Sequence, residues 1–252
     1  MLKDDMVRQG AWLFRWRSYL PLVLLPVAIS VFQNSGWLTQ LFGETVEELY
    51  DYLCLVIAFT GLAIRIGTVG FVPAGTSGRN TNAQNAAELN TTGLYSQMRH
   101  PLYFANFFVF IAFALLLKSF VFTLFAAVIY FIYYERIMLA EENFLETLYG
   151  QKYRAWAART PAFLPRLSGW IAPALRFSWR AAAGREFHTV LLIASVFFLV
   201  EMMEGTLVDG LSLRGWLDHE PFWSWLVIFG TAIYLMVRLI KKRTNWLAVA
   251  GR

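Results

Sequence analysis

The chain has 252 residues, of which 58% are hydrophobic, 17% aromatic and 15% charged. Soluble domains carry about 25% charged residues, and the apolar residues here form long blocks, so we predict an all-α integral membrane protein. The net charge of +5 does not indicate nucleic-acid binding, because the basic residues lie beside the apolar blocks and form no separate basic domain. The single cysteine excludes an intrachain disulfide, and three scattered histidines without paired-ligand spacing predict no metal.

About six segments are apolar and long enough to predict membrane-spanning helices, which need about 20 residues each. They lie near 18–34, 50–71, 102–117, 120–138, 187–204 and 222–240. Only Lys118 and Ser119 separate the third from the fourth, which predicts a tight antiparallel hairpin over about 102–138. We expect a two-span region, a core and a second two-span region at 1–72, 73–186 and 187–252.

The positions of basic residues predict the orientation, because Lys and Arg in short loops stay on the cytoplasmic side. Arg8, Arg15 and Arg17 precede the first span, whereas the loop after it is acidic. The same reasoning places both termini and the polar stretches 73–101 and 139–186 in the cytoplasm. The chain shows no organelle signal, so we expect a prokaryotic cytoplasmic membrane.

The polar stretch 73–101 is rich in Gly, Asn, Thr and Ser and ends in the motif GLYSQMRHPLY at 93–103. A plain connecting loop would explain the composition, but the length favours a functional segment. Pro101 can begin a helix at its first turn, which would place Arg99, His100 and Tyr103 together at the mouth of the third span. Each of them alone is most simply an interfacial anchor, whereas the combination indicates a site.

A second polar group follows the fourth span, where Arg136, Glu141 and Glu142 return to the same membrane surface as Arg99 and His100. The spacing from Arg136 to the glutamates is about one and a half turns, so Arg136 is expected to face a different wall. Ionisable residues at this depth are costly unless they are paired or functional, so their convergence predicts a functional site. The alternative is a salt-bridge network that ties two helix ends together.

The cytoplasmic segment that follows predicts a short amphipathic helix, broken at Gly150. Two prolines, Pro161 and Pro165, then stiffen the chain. Such a strap could close a cofactor pocket.

With these elements in order, the chain resembles the isoprenylcysteine carboxyl methyltransferase family and the related phospholipid methyltransferases. The shared signature is Gly-x-Tyr-x-x-x-Arg-His-Pro-x-Tyr at 93–103, a helical hairpin, the pair Glu141-Glu142, and Gly150-x-x-Tyr153 with a proline close behind. The resemblance covers about residues 76–166. It implies methyl transfer from S-adenosylmethionine, in a pocket that is roofed by cytoplasmic segments and open sideways to lipid.

The resemblance also implies which residues form the site. It implies cofactor contacts at Asn80, Glu88, Leu89, Asn90, Tyr95, His100, Pro101, Leu102, Tyr103, Glu141 and Glu142. Arg99, Arg136 and Glu141 form the expected catalytic set, in which Arg136 is similar to the family arginine that meets the acceptor.

The expected acceptor is a membrane lipid or a lipidated small molecule with an anionic oxygen, because a carboxylate or phosphate at pH 7 needs no general base. An amine acceptor would need His100 or Glu141 as the base. Three other functions stay open. They are a reductase of the sterol-reductase type that uses NADPH, a transporter, and a non-catalytic membrane protein.

Overall fold

The computed structural model describes residues 1–17, 19–32, 35–73, 88–249 and 251. Across these residues the regular structure is helical, which confirms the predicted fold class. The α-helices are α1 (Leu2–Trp16), α2 (Leu25–Phe32), α3 (Trp37–Phe42), α4 (Glu44–Val69), α5 (Pro101–Leu115), α6 (Phe120–Tyr149), α7 (Gln151–Ala157), α8 (Trp179–Met203), α9 (Leu213–His219) and α10 (Pro221–Arg243). The division into three regions stays a prediction.

Within the described residues, four helices are long and apolar enough to cross a membrane: α4, α6, α8 and α10. They correspond to the second, fourth, fifth and sixth predicted spans. A π-helical turn, Glu204–Val208, extends α8. Large apolar side chains such as Phe120 and Phe229 are exposed on the outer surfaces of these helices, which suits contact with lipid tails. The protein is therefore a multi-pass helical membrane protein.

The other two predicted spans are shorter than expected. Residues 18–34 do not form one continuous helix, because a 3₁₀ turn at Leu20–Leu24 precedes the eight-residue α2. Pro21 and Pro26 supply no backbone N–H, so a helix cannot run through them with its hydrogen bonds intact. An eight-residue helix is about 12 Å long, far short of the roughly 30 Å hydrocarbon core. Helix α5, with 15 residues, also falls short.

The predicted hairpin of α5 and α6 is confirmed. Lys118 makes the turn with a positive φ of 50°, and the Ser119 hydroxyl caps α6 by accepting a hydrogen bond from the Phe122 N–H at 3.3 Å. Helix α4 packs along α5 so closely that a Cβ on Gly61 would lie 2.6 Å from the Ala105 carbonyl oxygen. Helix α8 contacts both α4 and α10 and completes the core.

The N-terminal helix α1 packs along α6. Gly10 makes this close approach possible, because a Cβ there would overlap the carbonyl group of Arg136. One turn later, Phe14 packs into a buried cluster with Tyr103 and Ile137. Helix α1 therefore reaches the mouth of α5, where the sequence predicts a site.

Candidate active site

The start of α5 and the C-terminal part of α6 meet through two hydrogen bonds. The Tyr103 hydroxyl donates to Glu141 Oε1 at 2.7 Å, and His100 Nε2 lies 2.9 Å from Glu142 Oε1. His100 Nδ1 lies 3.6 Å from Glu141 Oε2, so the imidazole bridges the two carboxylates. The predicted convergence of the two polar groups is therefore confirmed.

Arg99 is the third basic or hydroxyl group in this cluster. Its Nε lies 2.9 Å from Glu142 Oε1, in an ion pair that lacks hydrogen-bond alignment. Its Nη1 donates to the carbonyl of Ala157, the last residue of α7, at 3.0 Å. Arg99 therefore ties the motif both to α6 and to the C-terminal end of α7.

Residues 158–178, which we call the strap, hold the motif in place through backbone hydrogen bonds. The Arg99 N–H donates to the Pro161 carbonyl at 2.8 Å, and the His100 N–H donates to the Ala162 carbonyl at 3.1 Å. Further along, the Gly93 N–H donates to the Ile171 carbonyl at 2.8 Å. The strap therefore fixes the backbone on both sides of Tyr95.

Helix α7 brings two aromatic residues against the cluster. The chain reverses at Gly150, whose φ of 50° disfavours any residue with a side chain, as the sequence indicates. Trp156 Nε1 then donates to the Tyr95 carbonyl at 3.1 Å. Tyr153 is buried next to Glu142, and its hydroxyl has no hydrogen-bond partner of good geometry. Tyr153 belongs to the sequence signature, but it was not among the predicted site residues.

Burial and charge act in opposite directions on His100. Burial by itself lowers the pKa of the imidazole, but hydrogen bonds and charges from Glu141 and Glu142 outweigh burial and raise that pKa above its ordinary value. Burial, followed by the Glu141 charge, raises the pKa of the Tyr95 hydroxyl. The glutamate side chains remain 27% and 21% exposed. The site thus presents partly exposed carboxylates that are bridged by a buried histidine.

The structure does not bring every predicted residue into this cluster. Arg136 pairs with the neighbouring Glu135 at 2.7 Å, and no contact described for its side chain reaches Glu141 or Glu142. Glu88 is exposed and lies towards Tyr149. Leu89 and Asn90 are half-buried, and no contact described for them reaches Glu141 or Glu142. Pro101 and Leu102 form the first turn of α5 beside His100. Asn80 lies outside the described residues.

Two arginines near the site were not predicted as site residues. Arg17, just after α1, lies over the Phe14 ring at 4.1 Å and close enough to Tyr103 to affect it electrostatically. Arg65 in α4 donates two hydrogen bonds to Glu186, at 2.7 and 2.9 Å, and a third to Asn106, one turn after Tyr103. In the sequence, Arg17 resembles one of the basic residues that set the membrane orientation. Arg65 gives a clearer signal, because it is an ionisable residue within an apolar run.

A family comparison covers the part of the chain that contains this cluster. Residues 74–152 match the family model described as phospholipid methyltransferase. This segment is similar to the phospholipid methyltransferases. The family comprises integral membrane methyltransferases and includes the isoprenylcysteine carboxyl methyltransferases, so the resemblance is confirmed. Within the phospholipid methyltransferase segment lie the motif at 93–103, the hairpin and the glutamate pair.

Two curated proteins are similar to the chain. The cobalt-zinc-cadmium resistance protein CzcN of Cupriavidus metallidurans is 32% identical over 155 residues, which cover 61% of this chain and 63% of CzcN. The nickel-cobalt-cadmium resistance protein NccN of Alcaligenes xylosoxydans xylosoxydans is 33% identical over 87 residues, or 34% of this chain and 40% of NccN. The chain therefore spans less than two thirds of either relative. No solved structure matches the chain.

Proposed function

We propose that the protein transfers a methyl group from S-adenosylmethionine to an anionic oxygen of a membrane-embedded lipid or isoprenoid acceptor. The observation that carries this proposal is the contact of Arg99, His100 and Tyr103 with Glu141 and Glu142, within a methyltransferase-family segment. The partly exposed carboxylates are within reach of a ligand.

The charges of the cluster fit S-adenosylmethionine. When bound, this cofactor supplies an electrophilic methyl group, which bonds to the acceptor oxygen as the carbon–sulfur bond breaks and leaves its electron pair on sulfur. Glu141 and Glu142 would hold its positively charged groups, and Arg99 would hold its carboxylate. The buried Tyr153 hydroxyl without a partner is a further donor for the same ligand.

The state of His100 favours an anionic acceptor over an amine. A carboxylate or phosphate is already deprotonated at pH 7, so the protein needs only to align the reactants and exclude water. An amine would need a base, but His100 is held between Glu141 and Glu142 with a raised pKa. Both ring nitrogens of His100 face carboxylate oxygens, so neither is free to accept a proton from an amine. We therefore assign His100 to positioning the two carboxylates.

The dimensions of the hairpin support an acceptor that arrives through the lipid. With 15 residues, α5 is about 22 Å long, so a helix of this length ends within a hydrocarbon core of roughly 30 Å. Phe163 of the strap packs edge-on against Phe104 and Phe131 of the hairpin, with ring centroids 5.5 and 5.3 Å apart. An apolar acceptor would therefore meet aromatic side chains beside the polar cluster. On the α1 side, Arg17 is a candidate contact for its anionic head.

The relatives suggest a setting for this activity. Both carry names that refer to resistance to cobalt and cadmium, together with zinc or nickel. We propose that this protein modifies a lipid of a bacterial cytoplasmic membrane, with both termini in the cytoplasm, and that metal-stressed cells are the place to seek the acceptor.

The first test is binding of S-adenosylmethionine to the protein purified in detergent, measured by calorimetry. We expect wild type to bind, and His100→Ala and Glu141→Ala to lose binding. Glu146→Gln is the matched control, because Glu146 lies on the same helix and pairs only loosely with the exposed Arg154, at 3.6 Å. Transfer of radiolabelled methyl groups to a total lipid extract would then identify the acceptor.

Two results would contradict the proposal. If folded wild type binds NADPH and not S-adenosylmethionine, the protein is a reductase of the sterol-reductase type. If it binds neither nucleotide and the site variants leave cellular function unchanged, the membrane protein is not catalytic.

A further inference from the structure

A second polar cluster lies at the opposite end of the hairpin from the candidate active site. Lys118, in the turn between α5 and α6, has only 1% of its side chain exposed. Its Nζ lies 2.6 Å from both Glu47 Oε1 and Glu204 Oε2, and 3.4 Å from Asp51 Oδ2. Glu201 lies beside Asp51 and Glu204. We call these five residues the far cluster.

The charges of the far cluster do not balance. Four carboxylates face one ammonium group, and in the part of the chain that the structure describes no ion pair joins them to a second Lys or Arg. Removing an ion from water costs several kcal/mol unless a partner compensates. The side chains of Asp51 and Glu204 are only 5% and 8% exposed. The charge of the far cluster is therefore balanced only when carboxyl groups take up protons or a cation binds among them.

The carboxylate oxygens without hydrogen-bond partners indicate where a cation would bind. Asp51 and Glu204 each offer one oxygen to Lys118, while their other oxygens, Oδ1 and Oε1, are buried without a hydrogen-bond partner. Oε1 of Glu201 is buried and unpartnered in the same way. One oxygen from each of these three residues lies within 4.8 Å of the others. Buried polar atoms in native proteins nearly always have partners.

A buried serine lies beside the carboxylates. Ser35 is fully buried next to Glu204, and its hydroxyl has no hydrogen-bond partner of good geometry. A hydroxyl oxygen is a neutral ligand for a cation. Ser35 therefore adds a fourth side-chain oxygen without a well-formed hydrogen bond to those of Asp51, Glu201 and Glu204.

We propose that Asp51, Glu201 and Glu204 bind a divalent metal cation at this end of the hairpin. Ligand sets made of oxygen alone suit hard cations such as Mg²⁺, Mn²⁺ and Ca²⁺ better than they suit ions that prefer histidine or cysteine. Lys118 occupies one side of the carboxylates, and the metal takes the oxygens that Lys118 leaves unpaired. Because Asp51 is on α4 and the two glutamates are at the end of α8, the cation joins these helices. This inference does not depend on the proposed methyl transfer.

The sequence offers a route by which a cation would reach the site. Glu47, one turn before Asp51, is 17% exposed in its side chain and contacts Lys118. Glu44 and Glu48, in the same first turns of α4, are exposed. Together they form an acidic surface that leads from solvent to the buried carboxylates and attracts cations.

The test uses the full chain in detergent, stripped of metal with EDTA and titrated with Mn²⁺. Binding is followed by the loss of the electron paramagnetic resonance signal of free Mn²⁺. We expect about one ion per chain, with the affinity reduced at least about tenfold in Glu204→Gln and Asp51→Asn. Asp218→Asn is the control, because it removes an exposed acidic residue of α9 that belongs neither to the far cluster nor to the acidic surface, and it should bind as wild type does.

Two further measurements keep the result unambiguous. Circular dichroism and size-exclusion profiles must match wild type, and Glu201→Gln replaces any variant that fails this requirement. Competition by Mg²⁺ and Ca²⁺ supports the oxygen-ligand assignment. Absence of Mn²⁺ binding to wild type, or equal binding to wild type and all folded variants, overturns the proposal.

Discussion

The hairpin of α5 and α6 carries a polar cluster at each end, and the two differ in charge and burial. At the candidate active site, Glu141 and Glu142 meet three positive or hydroxyl donors and remain 27% and 21% exposed. In the far cluster, four carboxylates surround Lys118, which is almost completely buried. A cluster whose charges are balanced and partly exposed suits a ligand that binds and dissociates. A cluster whose charges are unbalanced and buried suits a permanent role in holding helices together.

The largest effect is expected from Lys118→Met. This change leaves the carboxylates of Glu47, Asp51 and Glu204 without their ammonium partner, which should lower the free energy of unfolding by about 3–5 kcal/mol. Added Mn²⁺ should restore part of the loss. Thermal unfolding in detergent measures both effects, with the exposed Lys152→Met as the control. Wild-type stability in Lys118→Met would remove the distinction between the clusters.

The next largest effect belongs to the active-site cluster and should appear in binding. Glu141→Gln removes the charge that accepts the Tyr103 hydrogen bond. A hydrogen bond to a charged group contributes about 1.5–3 kcal/mol, so we expect S-adenosylmethionine affinity to fall about 10–100-fold. Calorimetry measures the affinity, and the unfolding temperature should stay close to that of wild type. A large loss of stability without a loss of binding would make this cluster structural, like the far one.

A smaller effect concerns pH. Because the pKa of His100 is raised in the folded protein, its contribution to stability is complete below the ordinary histidine value of about 6.5 and is lost as pH rises through the raised value. The difference in unfolding temperature between wild type and His100→Gln should therefore be larger at low pH and shrink at high pH. A difference independent of pH would show that the imidazole is neutral between the two glutamates.

The smallest effect is expected from Gly10→Ala. This substitution tests the contribution of the α1 side of the site independently of the rest of the site. The added Cβ would overlap the Arg136 carbonyl, so α1 must shift and carry Phe14 and Arg17 away from Tyr103. We expect methyl transfer to lipid to fall a few-fold with S-adenosylmethionine binding unchanged. Gly67→Ala is the control, since its Cβ would meet no atom within 4 Å. Equal activity in both variants would exclude α1 from acceptor binding.

The sequence predicts the active-site end of the hairpin well because its signals are local. A two-residue turn, a proline at a helix start and a glutamate pair near the end of a span are all read from neighbouring residues. The sequence analysis does not predict helix α1, because a search for apolar spans does not detect a helix with several charged residues. The first predicted span is divided into a 3₁₀ turn and α2 by Pro21 and Pro26. A prediction from hydrophobicity alone does not take the effect of proline on a helix into account.

The far cluster could not be predicted in the same way. Its members come from α4, the hairpin turn and the end of α8, and only tertiary packing brings them together. Read along the chain, Glu47 resembles a loop charge and Lys118 resembles the mark of a helix end. A search for histidine and cysteine spacing cannot find a site made only of carboxylates.

Completion of the active site depends on the order in which the chain is synthesised. Arg99 and His100 take their backbone partners from Pro161 and Ala162, which leave the ribosome only after both hairpin helices. The motif therefore lacks these backbone partners until the strap has been synthesised. A nascent chain stalled ahead of Pro161 would contain both hairpin helices with the motif still unanchored.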